Sequence, residues 1–440
     1  MSSRSLVCGL ILMLPAAIVV HAQGSPELQK IVERLDRLER ENESLRAELR
    51  GLRDELHPRG APGIAERLEV QESRTAEQAQ TKVESSQRFP IRITGMALAN
   101  AFVNSRQNGG VDYPTIAYLG RGNATGGASW HQTVIGLEYQ GPQTFAGGTV
   151  RGSLFMDFFG GTSLPNNQLI RLRTAEIGVD WASRTFMVGQ DKPVFSPRSP
   201  DSLAQVGVAP LAGSGNLWFW EPQARFEQRF KPREDLTFTA QAGVVQTSEF
   251  LMNVPATAAV ERYRPGGEGR FQLAYESKAG RRFEIGSGLH YSTSHVAGGS
   301  IPSEVVSLDW LFRSANWIEL QGAAYTGQNL ANFGLGAIRQ GVTVLGKGVL
   351  PIHAKGGWTQ LTLRATDRLS FHLMAGIHDG RNRDLLLGDI AYNHSFGGNL
   401  FYHFAPNVIL SLEAMQTRTL YLGPGLRLNN HYDLAIAYLF

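Results

Sequence analysis

From residue 90 onward the hydrophobicity of this chain alternates with period two. In its final stretch Tyr432, Leu434, Ile436, Tyr438 and Phe440 alternate with Asp433, Ala435, Ala437 and Leu439. Successive side chains of a strand point to opposite faces, so one face here is aromatic and aliphatic while the other is small or polar. The same contrast recurs upstream. Phe271, Leu273 and Tyr275 alternate with Arg270, Gln272 and Glu276; Phe283 and Ile285 with Arg282 and Glu284; Leu361, Leu363 and Ala365 with Gln360, Thr362 and Arg364. Apolar residues facing lipid and polar residues facing a lumen give this pattern in a membrane barrel. A soluble sandwich strand also alternates, but it does not need to end the chain on an aromatic residue. The expected fold class is therefore an all-β transmembrane antiparallel β-barrel of about 16 strands over residues 90–440.

Sixteen segments carry the pattern, near 90–104, 130–140, 146–159, 168–181, 184–191, 216–230, 235–247, 268–277, 281–293, 303–313, 316–327, 357–366, 368–378, 388–404, 406–418 and 430–440. Every second connection is tight and contains turn residues, as in Gly141-Pro142, Lys278-Ala279-Gly280, Thr366-Asp367 and Ala405-Pro406-Asn407. The others are longer. An even barrel with both ends in the periplasm requires that asymmetry, with long loops outside and short turns inside. Fourteen or eighteen strands also fit. In the fourth segment Arg171 and Arg173 share parity with Ile177, Val179 and Trp181, which requires either a bulge or a different register there.

Composition removes several other classes. The 440 residues carry a formal net charge of +3, which is no electrostatic footprint for nucleic acid. Beyond the N-terminus no apolar run reaches the roughly 20 residues of a spanning helix. Residues 1–22 read as a secretory signal peptide: Arg4, an apolar run from Leu6 to Val20, then Val20-His21-Ala22 before Gln23. The single cysteine, Cys8, lies inside that segment, so the exported chain has no thiol chemistry.

Residues 23–60 read as an N-terminal α-helical coiled coil, parallel and periplasmic. Its a positions are Leu28, Leu35, Asn42, Leu49 and Leu56, and its d positions Ile31, Leu38, Leu45 and Leu52. The g-to-e pairs Arg34 with Glu39, Glu41 with Arg46, and Glu48 with Arg53 are all opposite in sign, which a lone amphipathic helix does not predict. Asn42 fixes register, while Leu at both a and d leaves dimer against trimer open. His57-Pro58-Arg59-Gly60 stops the helix, and the polar residues 61–89 form a linker.

Sixteen to eighteen strands leave an aqueous channel. The third long connection, 192–215, carries Lys192, Arg198 and Asp201 among Pro, Gly and Ser; it resembles in position the third loop of classical porins, which folds inward, and an ordinary surface loop is the alternative. Predicted lumen-facing charges are mixed in sign: Arg151, Arg171, Arg173, Arg225 and Arg229 are interrupted by Asp157, Glu176 and Glu227, with Asp309 and Glu319 on the far side and Glu413 and Asp433 on the last two strands. Two readings follow: a basic wall facing acidic residues across a constriction, or ion pairs that hydrate the wall. Arginine forks suit carboxylate or phosphate, so the first reading favours small anions. Signals for chemistry are weak. Gly334-Leu335-Gly336 lacks a third glycine, no nucleophile elbow surrounds Gly213-Ser214-Gly215, and His290, His372 and His378 read as lumen residues. No enzyme, metal or cofactor is expected.

With these parts in place the chain resembles the DcaP-like trimeric porins of bacterial outer membranes. The local likeness lies in Arg88-Phe89-Pro90 leading to Gly95, in Met187-Val188-Gly189-Gln190, and in the terminal Phe440. The resemblance implies a homotrimer, passage of small carboxylated solutes through an arginine-lined constriction, and recognition of the Phe440 end by the barrel-assembly machinery. It also implies contact with outer-membrane lipid and lipopolysaccharide. The Lys-rich lumen of phosphate-selective porins is missing. The alternative is an envelope tether with a closed barrel.

Overall fold

The computed structural model describes residues 40, 44, 45, 47, 48, 91–120, 122–161, 168–248, 260, 261, 263–296, 299–333, 338, 340–345 and 348–440. The signal peptide, the linker 61–89 and most of the coil lie outside the described residues. Arg40, Ser44, Leu45, Ala47 and Glu48 are helical. Of the heptad core residues named above, Leu45 is described and exposed, while Leu28, Ile31, Leu35, Leu38, Asn42, Leu49, Leu52 and Leu56 lie outside.

Sixteen long strands follow in meander order. They are β1 Ile91–Asn104, β2 Val134–Gln143, β3 Thr149–Asp157, β4 Arg171–Asp180, β5 Arg184–Asp191, β6 Glu221–Arg233, β7 Leu236–Ser248 and β8 Tyr263–Glu276. Then come β9 Arg282–Val296, β10 Gly299–Ala315, β11 Ile318–Gln328, β12 His353–Arg364, β13 Leu369–Gly380, β14 Ile390–Ala405, β15 Val408–Tyr421 and β16 Gly425–Leu439. Each pairs antiparallel with the next, and β1 pairs with β16 from Met96 opposite Leu439 to Asn104 opposite His431. That last pairing closes the barrel. At the seam the Gly95 N–H donates to the Phe440 carbonyl at 2.9 Å and the Phe440 N–H returns a bond to Gly95 at 3.2 Å. A Cβ on Gly95 would overlap the Val134 carbonyl of β2, a backbone atom that cannot step aside, so only glycine fits beside this closure.

The two faces of the sheet separate as the alternation requires. Tyr432, Leu434, Ile436 and Tyr438 are exposed outward, while Ala435 and Ala437 are fully buried on the lumen side. Phe271, Leu273 and Ile285 face out; Arg270 and Glu284 are buried inside. No helix among the described residues is long and apolar enough to cross a membrane. The strands supply the apolar outer band, and a barrel so built belongs in the bacterial outer membrane.

Two irregularities shape the interior. In β4, Thr174 stands opposite Phe155 and Leu172 opposite Met156, so Arg173 is the extra residue of a bulge. The bulge puts both Arg171 and Arg173 inside while Ile177 remains on the lipid face. The second wall strand is broken. A short strand, Thr125–Ser129, pairs with the outer end of β1, and β2 with its inner end, leaving Trp130-His131-Gln132-Thr133 unpaired between them.

Loop asymmetry holds, with two exceptions. β9 and β10 reach Val296 and Gly299, and β15 and β16 reach Tyr421 and Gly425, so those outer connections are as tight as the inner turns. The strands extend beyond the apolar band on Ser, Thr, Asn and His. Both faces there are polar, which erases the alternation without ending the pairing. The sixth strand begins at Glu221 rather than near 216, because Leu217 to Trp220 pack as loop.

Candidate pore constriction

Residues 192–220, between β5 and β6, fold into the lumen and run along its wall. Val194 N–H donates to Glu268 of β8 at 2.6 Å, and Ser307 of β10 donates to the Phe195 carbonyl at 2.6 Å. Arg198 bonds Asp309 of β10 at 2.7 Å and also pairs with Glu284 of β9. Asp201 N–H donates to Gln360 of β12 at 2.7 Å, and Ser202 Oγ to Glu413 of β15 at 2.5 Å. Asn100 of β1 donates to the Leu203 carbonyl at 2.9 Å. The segment 192–207 is therefore an inner hoop tied to successive strands around the barrel.

The break in the second wall strand supplies the next tie. Gln132 Nε2 donates to the Ala204 carbonyl, and its Oε1 accepts from the Val206 and Gly207 N–H groups, all at 2.8 Å. A paired strand residue could still point an amide inward, but here the break brings loop backbone and side chain together. Arg173 Nη1 then donates to the Val206 carbonyl at 2.8 Å, and Arg171 to that of Gly207. Tyr113 of the first outer loop donates to the Ala204 carbonyl at 2.5 Å. Asp112 beside it lies 3.0 Å from His131. Burial pushes the Asp112 carboxyl up to about 6 and His131 down to about 4, Asp157 opposing the latter.

Beyond Gly207 the loop crosses to β12–β14. Asn393 of β14 donates to Gly213 O at 3.0 Å and Ser214 Oγ at 2.8 Å. A Cβ on Gly376 of β13 would overlap the Ser214 carbonyl, so glycine permits this approach. Leu211, at φ 57°, packs on Ala323, Trp358, Met374 and Met415. Phe195 and Leu217 pack with Val305, Tyr325, Leu330 and Phe333. Trp220 returns to the first wall, under Arg171 at 4.9 Å and Arg173 at 4.7 Å.

The candidate charges all face the lumen or belong to the hoop, but they are not parted into two walls. Arg151 bonds Asp180 at 2.8 Å and also Glu176; Arg171 and Arg173 share Asp157 at 2.6 and 2.9 Å. Arg225 pairs with Asp191 at 3.0 Å and Arg229 with Glu227 at 2.9 Å. Asp309 holds Arg270 at 2.8 Å besides Arg198, and Glu319 takes Arg313 and, at 3.4 Å, Arg364. Inward positions on neighbouring strands lie within reach of long side chains, so basic and acidic residues interleave. The expectation of a basic wall facing an acidic one is corrected accordingly.

Two of the candidate charges take part in no guanidinium–carboxylate pair. Lys192 has no carboxylate within ion-pair distance among the described residues. Burial pulls its ammonium below the usual lysine range, opposed by Asp191 and Asp201 and aided by Arg173. Asp201 is 51 % exposed and is held by amides, Gln360 at 2.6 Å and Gln321 at 3.3 Å, with His372 at 3.8 Å. Arg198 behaves otherwise: burial opposes its charge, but Glu284 and Asp309 outweigh it and hold the guanidinium above its ordinary range. Gln132, Asn100 and Gln360 were absent from the sequence-derived candidates, because an amide in a strand or loop carries no pattern of its own.

No family model matches the sequence, and no curated protein matches it. Solved structures do. The outer membrane channel DcaP of Acinetobacter baumannii is similar at 14% identity and a TM-score of 0.67, over 80% of this chain and 97% of that one. The chain has the fold of an outer-membrane porin. An anion-selective porin from Comamonas acidovorans matches at 12% identity and TM-score 0.54, over 80% of this chain and 99% of its own. OprB of Pseudomonas putida matches at 9% identity and TM-score 0.52, over 80% and 94%. The resemblance drawn from the sequence and the fold agree on a porin-type, sixteen-stranded barrel.

Proposed function

We propose that this chain is a passive diffusion channel for small polar solutes, assembled as a homotrimer and favouring small anions or carboxylates. The observation that carries the preference is the stoichiometry of the lumen ion pairs. Arg171 and Arg173 share one carboxylate, as do Arg313 and Arg364, while Arg198, Arg270 and Arg282 meet Glu284 and Asp309. Each cluster keeps a guanidinium in excess, and Lys192 adds a cation beside the hoop. Arg151 with Glu176 and Asp180 is the reverse case, and Asp201, Glu221, Glu268, Glu413 and Asp433 pair with no arginine among the described residues. Partly compensated arginines suit transient coordination of a carboxylate, which must bind weakly enough to leave.

The role of Phe440 in assembly, the trimer-forming coil over residues 23–60, and the pore-lining role of the candidate charges are parts of the same proposal. Proteoliposome swelling tests it. Small carboxylates are expected to enter faster than neutral solutes of equal size, and equal rates would remove the anion preference. A second reading, a closed barrel serving as a tether, draws on the apolar packing of Leu211 against Trp358, Met374 and Met415 inside the lumen. Under that reading no solute causes swelling.

A further inference from the structure

The outer face of β13–β16 and β1 carries an apolar groove of about 720 Å³. Its floor follows from residue size. Leu373, Gly398, Ala414, Tyr432 and Val103 stand in one row across five strands, each paired with the next. Gly398 and Ala414 leave a trough between the larger walls of Leu373 and Tyr432. The trough lies inside the apolar band, so hydrocarbon is the chemistry that fills it.

The residues above it toward the outer end of β15 are polar. Gln416 stands opposite Phe396 and Asn430, and Arg418 opposite His394 and Leu428. These side chains share the outward parity of Ala414. Arg418 Nε donates to Gln416 Oε1 at 2.7 Å, and Gln416 Nε2 to Asn430 Oδ1 at 2.9 Å. The guanidinium lies over the Phe396 ring at 5.1 Å. Its terminal nitrogens have no partner among the described residues, and Arg418 forms no ion pair with a described carboxylate. A fixed guanidinium fork with free donors matches phosphate geometry. From Ala414 to Arg418 is four residues, about 13 Å along a strand. The guanidinium thus stands above the groove toward the outer end of β15, on the side where a headgroup would sit.

We propose that this surface seats a phosphorylated lipid of the outer leaflet, with an acyl chain in the Gly398–Ala414 trough and a phosphate on Arg418. The charge and the groove lie on the same strands but are independent features, one electrostatic and one a matter of shape. The proposal does not depend on what the lumen conducts.

Native mass spectrometry of the purified full-length protein tests it, with bisphosphorylated lipid A and its dephosphorylated form as probes. The wild type is expected to hold the bisphosphorylated form about tenfold more tightly, the worth of a charge-assisted contact. Arg418→Ala should abolish that difference and Arg418→Lys should retain part of it. Ala414→Trp, which fills the trough, should weaken binding of both forms. Heat-modifiable migration on gels confirms that each variant is folded. Equal binding of the two probes by the wild type, or an unchanged difference in Arg418→Ala, would overturn the proposal. So would binding to the separated protomer but not to the assembled oligomer, which would make the trough an interface between copies.

Discussion

Gln132→Leu is the perturbation that bears most directly on the hoop. The substitution keeps volume and removes the amide that makes three bonds of 2.8 Å to Ala204, Val206 and Gly207. Gln132 is 2 % exposed, so water does not replace those bonds readily. Each contributes about 1 kcal/mol net, so the hoop's attachment weakens by about 3 kcal/mol, and by more where the released N–H groups stay buried. That shifts its attached-to-detached ratio by roughly two orders of magnitude. Arg171 and Arg173 still hold the carbonyls of Gly207 and Val206, so residues 203–208 should swing inward and outward rather than unfold. Gln132 lies in the break of the wall, outside strand pairing, so the barrel itself should remain heat-resistant. Hydrogen exchange of 203–208 reads the detachment, and single-channel recording reads its consequence as altered conductance with added flicker. Protection and conductance both equal to wild type would refute the hoop as the element that sets the opening.

Gly376→Val places a Cβ against the Ser214 carbonyl and should displace residues 211–216 from β13, reported by increased exchange there with barrel strands unchanged. Lys192→Glu reverses the hoop-start cation that forms no ion pair with a described carboxylate, so the reversal potential should move toward cations and Lys192→Gln should move it about half as far. Acidification should act on the Asp112–His131 contact in two opposed ways. Asp112, raised to about 6, contributes stability that grows as pH falls from about 6 toward 4, whereas His131, lowered to about 4, contributes stability that is lost over the same range. First-loop protection, taken relative to intrinsic amide exchange at each pH, should therefore vary little between pH 6 and 4 in wild type, rise on acidification in His131→Gln, and fall in Asp112→Asn. Removing residues 23–60 should weaken oligomer assembly on cross-linking while leaving heat-resistant β-structure; loss of that structure would show the coil is needed for the barrel to fold.

Strand parity was the most legible property of the chain, because lipid on one side and water on the other impose opposite chemistry on alternate residues. All sixteen segments appear, and of the two explanations open for the parity conflict at Arg171 and Arg173, a bulge or a different register, the bulge is the one present. The outer ends were less legible. Ser292 and Ser294 point inward and Thr293 and His295 outward, so nothing distinguishes the faces once the strand leaves the apolar band. Charge pairing was less legible still. Arg151 stands opposite Gly178 and reaches Glu176 and Asp180 on either side of it, which depends on cross-strand register rather than on parity. The hoop was placed correctly by its length and position. Its anchors Gln132, Asn100 and Gln360 became visible only when distant segments met.

Planar-bilayer recording of the purified protein in a salt gradient tests the central claim most directly. Stepwise openings in threes with a reversal potential favouring anions are the predicted result. A silent membrane with folded protein inserted, or a reversal potential favouring cations, would contradict it.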